Sequence, residues 1–338
     1  MSATYHKIRR ARVVSLAWVA GALWVILAAA GLTRPSASLT HANMGNPVLA
    51  DFTETRIDTH RIRFILADET YTLERTSAGW VMQETGGYPV RQDRLAALAG
   101  GLETLAFDEK RTADPYKHDR IGLGDPTEDG NGALVEIFDQ DDRLLHSLII
   151  GRKDDRIYMR APSDDQTYRT VGDLPPFYNR RAWLDLNIIE IEPSAIQSVR
   201  LEDRNGRSLY LRRGAGEGAR SFAPAPPYQD DTIVSRLAAS TTALAITRLA
   251  PFDVRPASTL SGDPIARHIS ETFDGLEIEI LAHDDGVDGQ WVTLRAVEAG
   301  EGARRAKAIN GQAQGWAFRI NDYDFQDFTP DVLTIVER

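Results

Sequence analysis

The sequence predicts an α+β fold in which antiparallel β predominates, arranged as two tandem repeats of a β-sheet-plus-helix unit and preceded by one transmembrane helix. Three observations favour it: a twenty-residue run without charge near the N-terminus, short stretches of alternating apolar and polar residues, and a second half that repeats the element order of the first. At 338 residues the chain exceeds what one hydrophobic core usually organises, so two domains are expected.

The uncharged run extends from Val13 to Leu32. Twenty helical residues span about 30 Å, the thickness of the hydrocarbon core of a bilayer. Four basic residues precede the run and only Arg34 follows it closely, so the positive-inside rule places the N-terminus in the cytoplasm. A cleaved signal peptide is the alternative, because Ala28, Ala29 and Ala30 supply small residues near the end of the run, but the apolar stretch of such a signal is usually about 7 to 15 residues.

These features divide the chain into a cytoplasmic basic tail at 1–12, a membrane anchor at 13–32 and a linker at 33–55. Two repeats follow at 56–190 and 191–338. The sequence therefore predicts a single-pass protein of the bacterial inner (cytoplasmic) membrane, in contact with the lipid bilayer through 13–32 and with its folded part in the periplasm.

In the first repeat, alternating residues predict short strands separated by turn residues. A helix is predicted at 89–107, because leucines at 95, 98, 102 and 105 recur every three or four positions on one face. Asp139 to Asp142 are turn residues between two strands. The predicted strands are 61–66, 71–75, 80–82, 133–138, 144–150, 156–160 and 167–171.

The second repeat follows the same order, beginning with a hairpin whose turn is Asn205-Gly206. Its helix is predicted at 230–247, where Val234, Leu237, Leu244 and Ile246 lie 139 positions after Leu95, Leu98, Leu105 and Phe107. The predicted strands are 198–202, 208–212, 221–222, 276–282, 291–296, 305–309 and 317–320.

Composition excludes several kinds of partner and chemistry. The formal net charge is −10, and a surface that acidic repels phosphate backbones, so nucleic acid is not expected as a partner. Cysteine is absent, which removes thiolate nucleophiles, disulfides and cysteine-ligated zinc.

Short motifs give no catalytic signature. Closely spaced aspartates in the segment 283–289 superficially suggest a calcium loop, but the position that should carry the bidentate glutamate is Arg295, so a turn between strands is favoured. The glycine-rich segment 214–218 lacks a P-loop lysine and reads as a hairpin connection. We therefore predict a protein that is not an enzyme, without catalytic residues, cofactor or metal; an envelope hydrolase is the alternative and would need a cluster of ionisable groups with shifted pKa values.

One basic pair stands out as a possible ligand or partner contact: Arg180 and Arg181, close to Trp183. Arginine binds carboxylates and phosphates through two parallel hydrogen bonds. The alternative interpretation is that these residues form salt bridges at the joint between the repeats.

Several stretches resemble the domain-of-unknown-function 4340 family. They are 121–126 (IGLGDP), 148–152 (LIIGR), 158–160 (YMR), 176–186 (PFYNRRAWLDL) and 196–199 (IQSV). The resemblance implies one N-terminal transmembrane segment and an association with gliding-motility-type ABC transport systems, and it supplies no catalytic residue. It thus implies a non-enzymatic, membrane-anchored extracytoplasmic accessory subunit with the ABC permease, ATPase and auxiliary subunits as partners. A periplasmic ligand-binding or scaffold module, with its site at the inter-repeat joint, is the alternative.

Overall fold

The computed structural model describes residues 43–214, 221–297, 300 and 302–337. Compactness divides the chain into two units: the first runs to Thr72 and includes Ala96–Tyr178, and the second contains Leu73–Leu95 and the chain from Asn179 onwards. None of the described helices is both long enough and apolar enough to cross a membrane. The predicted tail and the anchor at 13–32 lie outside the described residues.

Nine strands form an antiparallel sheet with the order β4-β3-β2-β1-β6-β7-β8-β9-β5. Among the residues described from 43 onwards, the α-helices that accompany this sheet are α1 (Phe52–Thr55) and α2 (Gln92–Thr104). The strands are β1 (Arg61–Ile65), β2 (Thr70–Thr76), β3 (Gly79–Met82), β4 (Tyr88–Pro89), β5 (Ala106–Lys110), β6 (Ala133–Phe138), β7 (Leu144–Lys153), β8 (Arg156–Arg160) and β9 (Tyr168–Val171).

Burial explains these elements. In β1 the buried residues Ile62 and Phe64 alternate with half-buried ones, as expected for a pleated strand. In β6 every residue is buried, in keeping with its place inside the sheet. Apolar residues of the first unit pack together around Leu123, Leu134 and Ile149.

The part of the predicted linker that the structure describes is folded. Val48 and Phe52 are buried, and the backbone N–H of Val48 donates to the carbonyl of Leu105 at 2.8 Å. The folded region of the first unit therefore begins before the predicted start at residue 56.

The described residues of the second half form an eight-stranded antiparallel sheet, a two-stranded sheet and three α-helices. The helices are α3 (Arg236–Ala243), α4 (Ala303–Ala313) and α5 (Asp322–Phe328). The strands are β10 (Ile196–Glu202), β11 (Ser208–Arg213), β12 (Phe222–Pro224), β13 (Thr232–Ile233), β14 (Asp253–Pro256), β15 (Ala266–Thr272), β16 (Glu277–Asp284), β17 (Gln290–Ala296), β18 (Trp316–Arg319) and β19 (Val336–Glu337). The large sheet has the order β12-β11-β10-β15-β16-β17-β18-β14, and β13 pairs with β19.

The two large sheets follow one strand order. Without β4, the first sheet reads β3-β2-β1-β6-β7-β8-β9-β5, and in chain order the second sheet places its strands in the same sequence. In both sheets, a helix follows the first three strands of the shared order, and the next strand forms the opposite edge of the sheet. The last four strands are antiparallel neighbours that fill the space between the first strand and that edge.

Two predictions in the second half are wrong. Residues 305–309 are not a strand but part of α4, because Ala306, Ile309 and Ala313 are buried at helical spacing. The predicted helix at 230–247 is shortened to α3, which Ser235 caps by accepting a hydrogen bond from the N–H of Ala238 at 3.2 Å.

Of the four apolar residues aligned with the first helix, Ile246 is buried, in the 3-10 turn that follows α3, whereas Val234 and Leu237 are exposed. Val234 is 53% exposed and Leu237 is 78% exposed, so neither corresponds to the buried Leu98 of α2. The pattern around residues 106–110, 253–256 and 266–272 did not predict strands, yet these segments are β5, β14 and β15.

Candidate functional site

The predicted contact residues lie on a single 3-10 turn, Arg180–Trp183, in the second unit. The side chain of Asn179 caps this turn by accepting a hydrogen bond from the N–H of Arg181 at 2.9 Å. Trp183 is completely buried, so its ring is a packing residue and is removed from the set of possible ligand contacts.

Both arginines of the turn meet the start of β14. Nη2 of Arg180 lies 2.8 Å from Oδ2 of Asp253, and both side chains are mostly buried. Arg181 is exposed, with Cζ of its guanidinium 4.8 Å from the centroid of the Phe252 ring. The salt-bridge interpretation thus describes Arg180, whereas Arg181 makes a cation–π contact.

Asp253 belongs to a row of side chains that crosses four strands. His283 of β16 is opposite Trp291 of β17, Trp291 is opposite Arg319 of β18, and Arg319 is opposite Asp253 of β14. Residues directly opposite in antiparallel strands point to the same face of a sheet. The four side chains therefore share one face and lead to Arg180.

Three guanidiniums and two rings alternate along this face. Arg181 and Arg319 lie 4.8 and 5.5 Å from the Phe252 centroid, and Arg319 and Arg255 lie 5.9 and 4.1 Å from the Trp291 centroid. We call Arg181, Phe252, Arg319, Trp291 and Arg255 the arginine–aromatic ladder. Sequence reasoning identified only Arg181, because the other members come from separate strands.

The ladder ends at the turn that superficially suggested a calcium loop. Asp285 accepts hydrogen bonds from the Ser261 hydroxyl and from Nη2 of Arg255, and these interactions lower the pKa of Asp285 to about 2. The segment joins β16 to β17, with the N–H of Asp285 donating to the carbonyl of Gly289 at 3.0 Å. In the part of the chain that the structure describes, no cluster of three or more His, Asp or Glu side chains is arranged to hold a metal ion.

His283, at the other end of the row, is 7% exposed. Burial lowers the pKa of this imidazole, whereas the charges of Asp285 and Asp263 act in the opposite direction. The ring is consequently neutral near pH 7.

A separate groove of about 420 Å³ lies on the second unit beside β10, β11 and β15. Two tyrosines, Tyr210 and Tyr228, and two arginines contribute to its walls. Arg200 is paired with Glu277, and Nε of Arg267 lies 2.5 Å from Oε1 of Glu279. The groove is not at the joint where the sequence suggested a ligand site.

A hydroxyl, an imidazole and a carboxylate also approach one another in the first unit. Oγ1 of Thr55 lies 2.8 Å from Nε2 of His146, whose Nδ1 is 3.9 Å from Oδ1 of Asp51. The second distance exceeds a hydrogen bond, so the imidazole lacks the orienting bond of a catalytic triad. Phe52 packs edge-on against the same ring at 5.7 Å, and the contact ties α1 to β7.

The family described as a domain of unknown function (DUF4340) matches residues 80–261, which is more than half of the chain. The chain belongs to this family. Comparison with curated proteins and with solved structures gave no match.

In this DUF4340 protein, the stretches that carry the family resemblance make packing contacts. A Cβ on Gly151 of the LIIGR stretch would overlap the carbonyl oxygen of Gly122 in IGLGDP. Nε of Arg160, from YMR, donates to the carbonyl of Leu123 at 3.1 Å, and Arg160 is 5% exposed. The hydroxyl of Tyr178, from PFYNRRAWLDL, donates to a carbonyl of β7 at 3.2 Å.

These contacts bring residues of four stretches into one closely packed region of the first unit. Two of their backbone carbonyls, those of Leu123 and Ile150, accept hydrogen bonds from an arginine and a tyrosine, which helps to fix the loop before β6. In this chain, the stretches that carry the family resemblance therefore make packing contacts.

Proposed function

We propose that this protein is a non-enzymatic accessory subunit of an ABC-type, gliding-motility-like transport system. It is held in the cytoplasmic membrane by residues 13–32 and extends into the periplasm. The uncharged run and the basic residues before it support the anchor and its orientation. The transport role follows from the resemblance to DUF4340 proteins.

The observation that carries a binding role is the arginine–aromatic ladder. Guanidiniums stay protonated at physiological pH, so they do not act as general bases, but they bind carboxylates and phosphates strongly. A surface of stacked guanidiniums and rings is suited to recognition of a partner.

We also propose that the two large sheets descend from one duplicated unit of β-sheet plus helix. Their common strand order supports this origin. A duplicated periplasmic platform gives one copy freedom to acquire a binding surface while the other retains the packing of the original unit.

The accessory role is tested by purifying the tagged full-length protein from its native membranes in mild detergent. A matched control carries an unrelated transmembrane segment in place of 13–32, and a second variant lacks residues 1–34. We expect the ABC permease and ATPase to be recovered with the full-length protein and lost from the truncated one. Recovery of the full-length protein without either subunit contradicts the proposal.

The control separates two uses of the anchor. If the unrelated segment restores recovery, the anchor only positions the periplasmic part. If it does not, residues 13–32 themselves contact the permease.

A periplasmic ligand-binding module is the second candidate, and the groove of about 420 Å³ favours it because small-molecule sites are usually concave and partly aromatic. A large side chain in the groove, Ser208→Trp, tests this role. A periplasmic small molecule that raises the melting temperature of the wild type should leave that of Ser208→Trp unchanged, whereas an equal shift in both places the ligand elsewhere.

A further inference from the structure

We propose that Arg181 and Arg319, which flank Phe252 in the arginine–aromatic ladder, bind carboxylates of an extended acidic segment in a partner protein. The inference rests on the proposed function only in treating the protein as a binding subunit. It does not depend on which transporter is present.

Charge compensation distinguishes these two arginines from their neighbours. Arg180 is paired with Asp253, and Arg255 is paired with Asp285. Within residues 43–214, 221–297 and 302–337, no carboxylate lies within ion-pair distance of Arg181 or Arg319. Two neighbouring uncompensated cations are unexpected in a chain of net charge −10.

Asp253 is the carboxylate best placed to neutralise Arg319, because the two residues are directly opposite in β14 and β18. Its Oδ2 is instead bound by Arg180, and its Oδ1 accepts a hydrogen bond from the N–H of Val254 at 3.0 Å. Because Asp253 is paired with Arg180, it does not neutralise Arg319. The Arg319 guanidinium is therefore available to bind a carboxylate of another molecule.

The equivalent strand pair in the first sheet, β5 and β9, shows the compensated arrangement. Nε of Arg169 lies 2.5 Å from Oδ2 of Asp108, and Nη1 lies 2.9 Å from Oε2 of Glu109. The arginine of β9 thus has two carboxylate partners, whereas the arginine of β18, in the corresponding strand pair of the second sheet, has none among the described residues. The difference lies in charge, while the strand order is the same.

Both guanidiniums are held in place before any ligand binds. Arg319 contacts the Phe252 and Trp291 rings and lies against Gly289, where an added Cβ would be 2.6 Å from its Nη2. Arg181 stacks on Phe252 beside the turn that Asn179 caps. Fixed side chains lose little conformational entropy on binding, which favours affinity.

The spacing of the charges favours a peptide over a single phosphate. Each planar guanidinium takes one carboxylate through two hydrogen bonds, and here two guanidiniums approach the same ring within 5.5 Å of its centroid. In an extended segment, alternate side chains point the same way about 7 Å apart. The two guanidiniums are at most about 10 Å apart, because they lie 4.8 and 5.5 Å from one ring centroid, so acidic residues at alternate positions can reach both, with Phe252 as an apolar contact.

The test uses the full-length protein in detergent and a fluorescent peptide with glutamate at alternate positions, compared with the same peptide carrying glutamine. Fluorescence anisotropy should show binding of the glutamate peptide about tenfold or more tighter than the glutamine peptide, weakening as salt rises. The double variant Arg181→Gln/Arg319→Gln should lose this preference. The matched control Arg204→Gln/Arg212→Gln, which removes two exposed arginines elsewhere, should keep it.

Equal binding of both peptides, or an unchanged affinity in Arg181→Gln/Arg319→Gln, overturns the proposal. The proposal is also overturned if the site binds another anion instead. That result would be binding of phosphatidylglycerol vesicles or inorganic phosphate to the wild type but not to the double variant, while the glutamate peptide does not bind. If the double variant melts more than a few degrees below the wild type, the exposed single variant Arg181→Gln replaces it, and a partial loss is expected.

The outcomes separate this inference from the proposed function. Recovery of the ABC subunits from membranes without peptide binding retains the accessory role and overturns the acidic-segment site. Peptide binding that the double variant loses, without recovery of ABC subunits, supports the site and contradicts the transporter assignment.

Discussion

At the scale of single residues, two hairpins are closed by aspartates that act in the same way. Oδ1 of Asp139 accepts hydrogen bonds from the N–H groups of Asp141 and Arg143, both at 2.9 Å. Oδ1 of Asp203 accepts them two and four residues later, at 2.8 and 3.0 Å. Both side chains replace water as the acceptor for turn amides, which is why aspartate is favoured at this position.

Asp203 has an additional role that makes it the more sensitive of the two. Its Oδ2 accepts a hydrogen bond from the N–H of Val332 at 3.1 Å, which joins the turn to the C-terminal segment. We expect Asp203→Ala to lower the free energy of unfolding by about 2 kcal/mol, because buried amides lose a charged acceptor. Urea denaturation measures this loss, and Asp230→Ala, which removes an exposed aspartate, should leave the midpoint within error.

The same aspartate contributes a pH dependence. Burial alone would raise the pKa of Asp203, but the backbone N–H donors and the charge of Arg207 outweigh it and lower the pKa. The stabilisation is therefore present above the unfolded-state pKa of about 3.9 and is lost as the pH falls through the lowered value. A wild type that is no more acid-sensitive than Asp203→Asn would contradict this account.

His268 should give a second pH dependence at higher pH. The ring is fully buried, its Nε2 lies 3.0 Å from the carbonyl of Thr242, and burial lowers its pKa to about 4. The unfolded chain binds a proton at this residue below about pH 6.5, whereas the folded chain does not until about pH 4. Stability from this group is thus present above pH 6.5 and declines as the pH falls.

The expected size of the effect is about 3 kcal/mol between pH 6.5 and 4. Unfolding curves of the wild type and of His268→Gln across this range measure it. The variant should be less stable at neutral pH but should lose less stability on acidification. Parallel pH profiles for the two proteins would show that another group is responsible.

At the scale of elements, two glycines of the first unit, Gly151 and Gly100, differ in the space around them, so their alanine variants can be compared. A methyl group at position 151 would overlap the carbonyl of Gly122, so Gly151→Ala must displace β7 or the preceding loop. We expect it to cost about 3 kcal/mol of folding free energy. Gly100, in α2, has open space around it, and Gly100→Ala should stabilise by about 0.5 kcal/mol or more.

Both variants add one methyl group to the same unit, so thermal unfolding compares them directly. Opposite signs are expected from the difference in available space. A neutral Gly151→Ala would mean that the loop before β6 adapts more readily than its close backbone contacts indicate.

Local patterns predicted several strands of the first unit and its longer helix. β6 and β8 have the predicted bounds, and α2 lies within the predicted helix, with Leu98 and Leu102 buried at helical spacing. The strand prediction for residues 305–309 was wrong because five residues are too few to distinguish a strand from a helix. The helical period becomes visible only over a longer segment, in the spacing of Ala306, Ile309 and Ala313. β15 was missed because its buried positions include polar residues such as His268 and Ser270.

The candidate site was predictable only in part for a similar reason. Arg181 was noticed because it lies in a distinctive stretch beside Trp183. Phe252, Trp291 and Arg319 reach it through the order of strands β17, β18 and β14. No local pattern encodes which edge a strand joins, so the partners of Arg181 could not be inferred.

At the scale of the whole molecule, the two large sheets share one strand order but differ in their additional elements and in their charges. The shared order includes the edge strands β5 and β14, each of which precedes in the chain the four strands that separate it from the centre of its sheet. The second sheet adds α4 before its last meander strand and α5 after it, and the first sheet adds β4 at its edge. The charges carried by the edge pairs differ most, since Arg169 is neutralised where Arg319 is not.

Gly289 limits which substitutions this part of the surface can accept during evolution. Its backbone, with φ of 92° and ψ of −161°, lies in a region open essentially to glycine alone, and the space a side chain would need holds the Arg319 guanidinium. Substitution at 289 is therefore opposed chiefly by the backbone conformation, because the guanidinium is the end of a flexible side chain and can move aside. Descendants of this chain can lose Arg319 and keep Gly289, whereas a lineage that replaces Gly289 must also change the backbone of the turn.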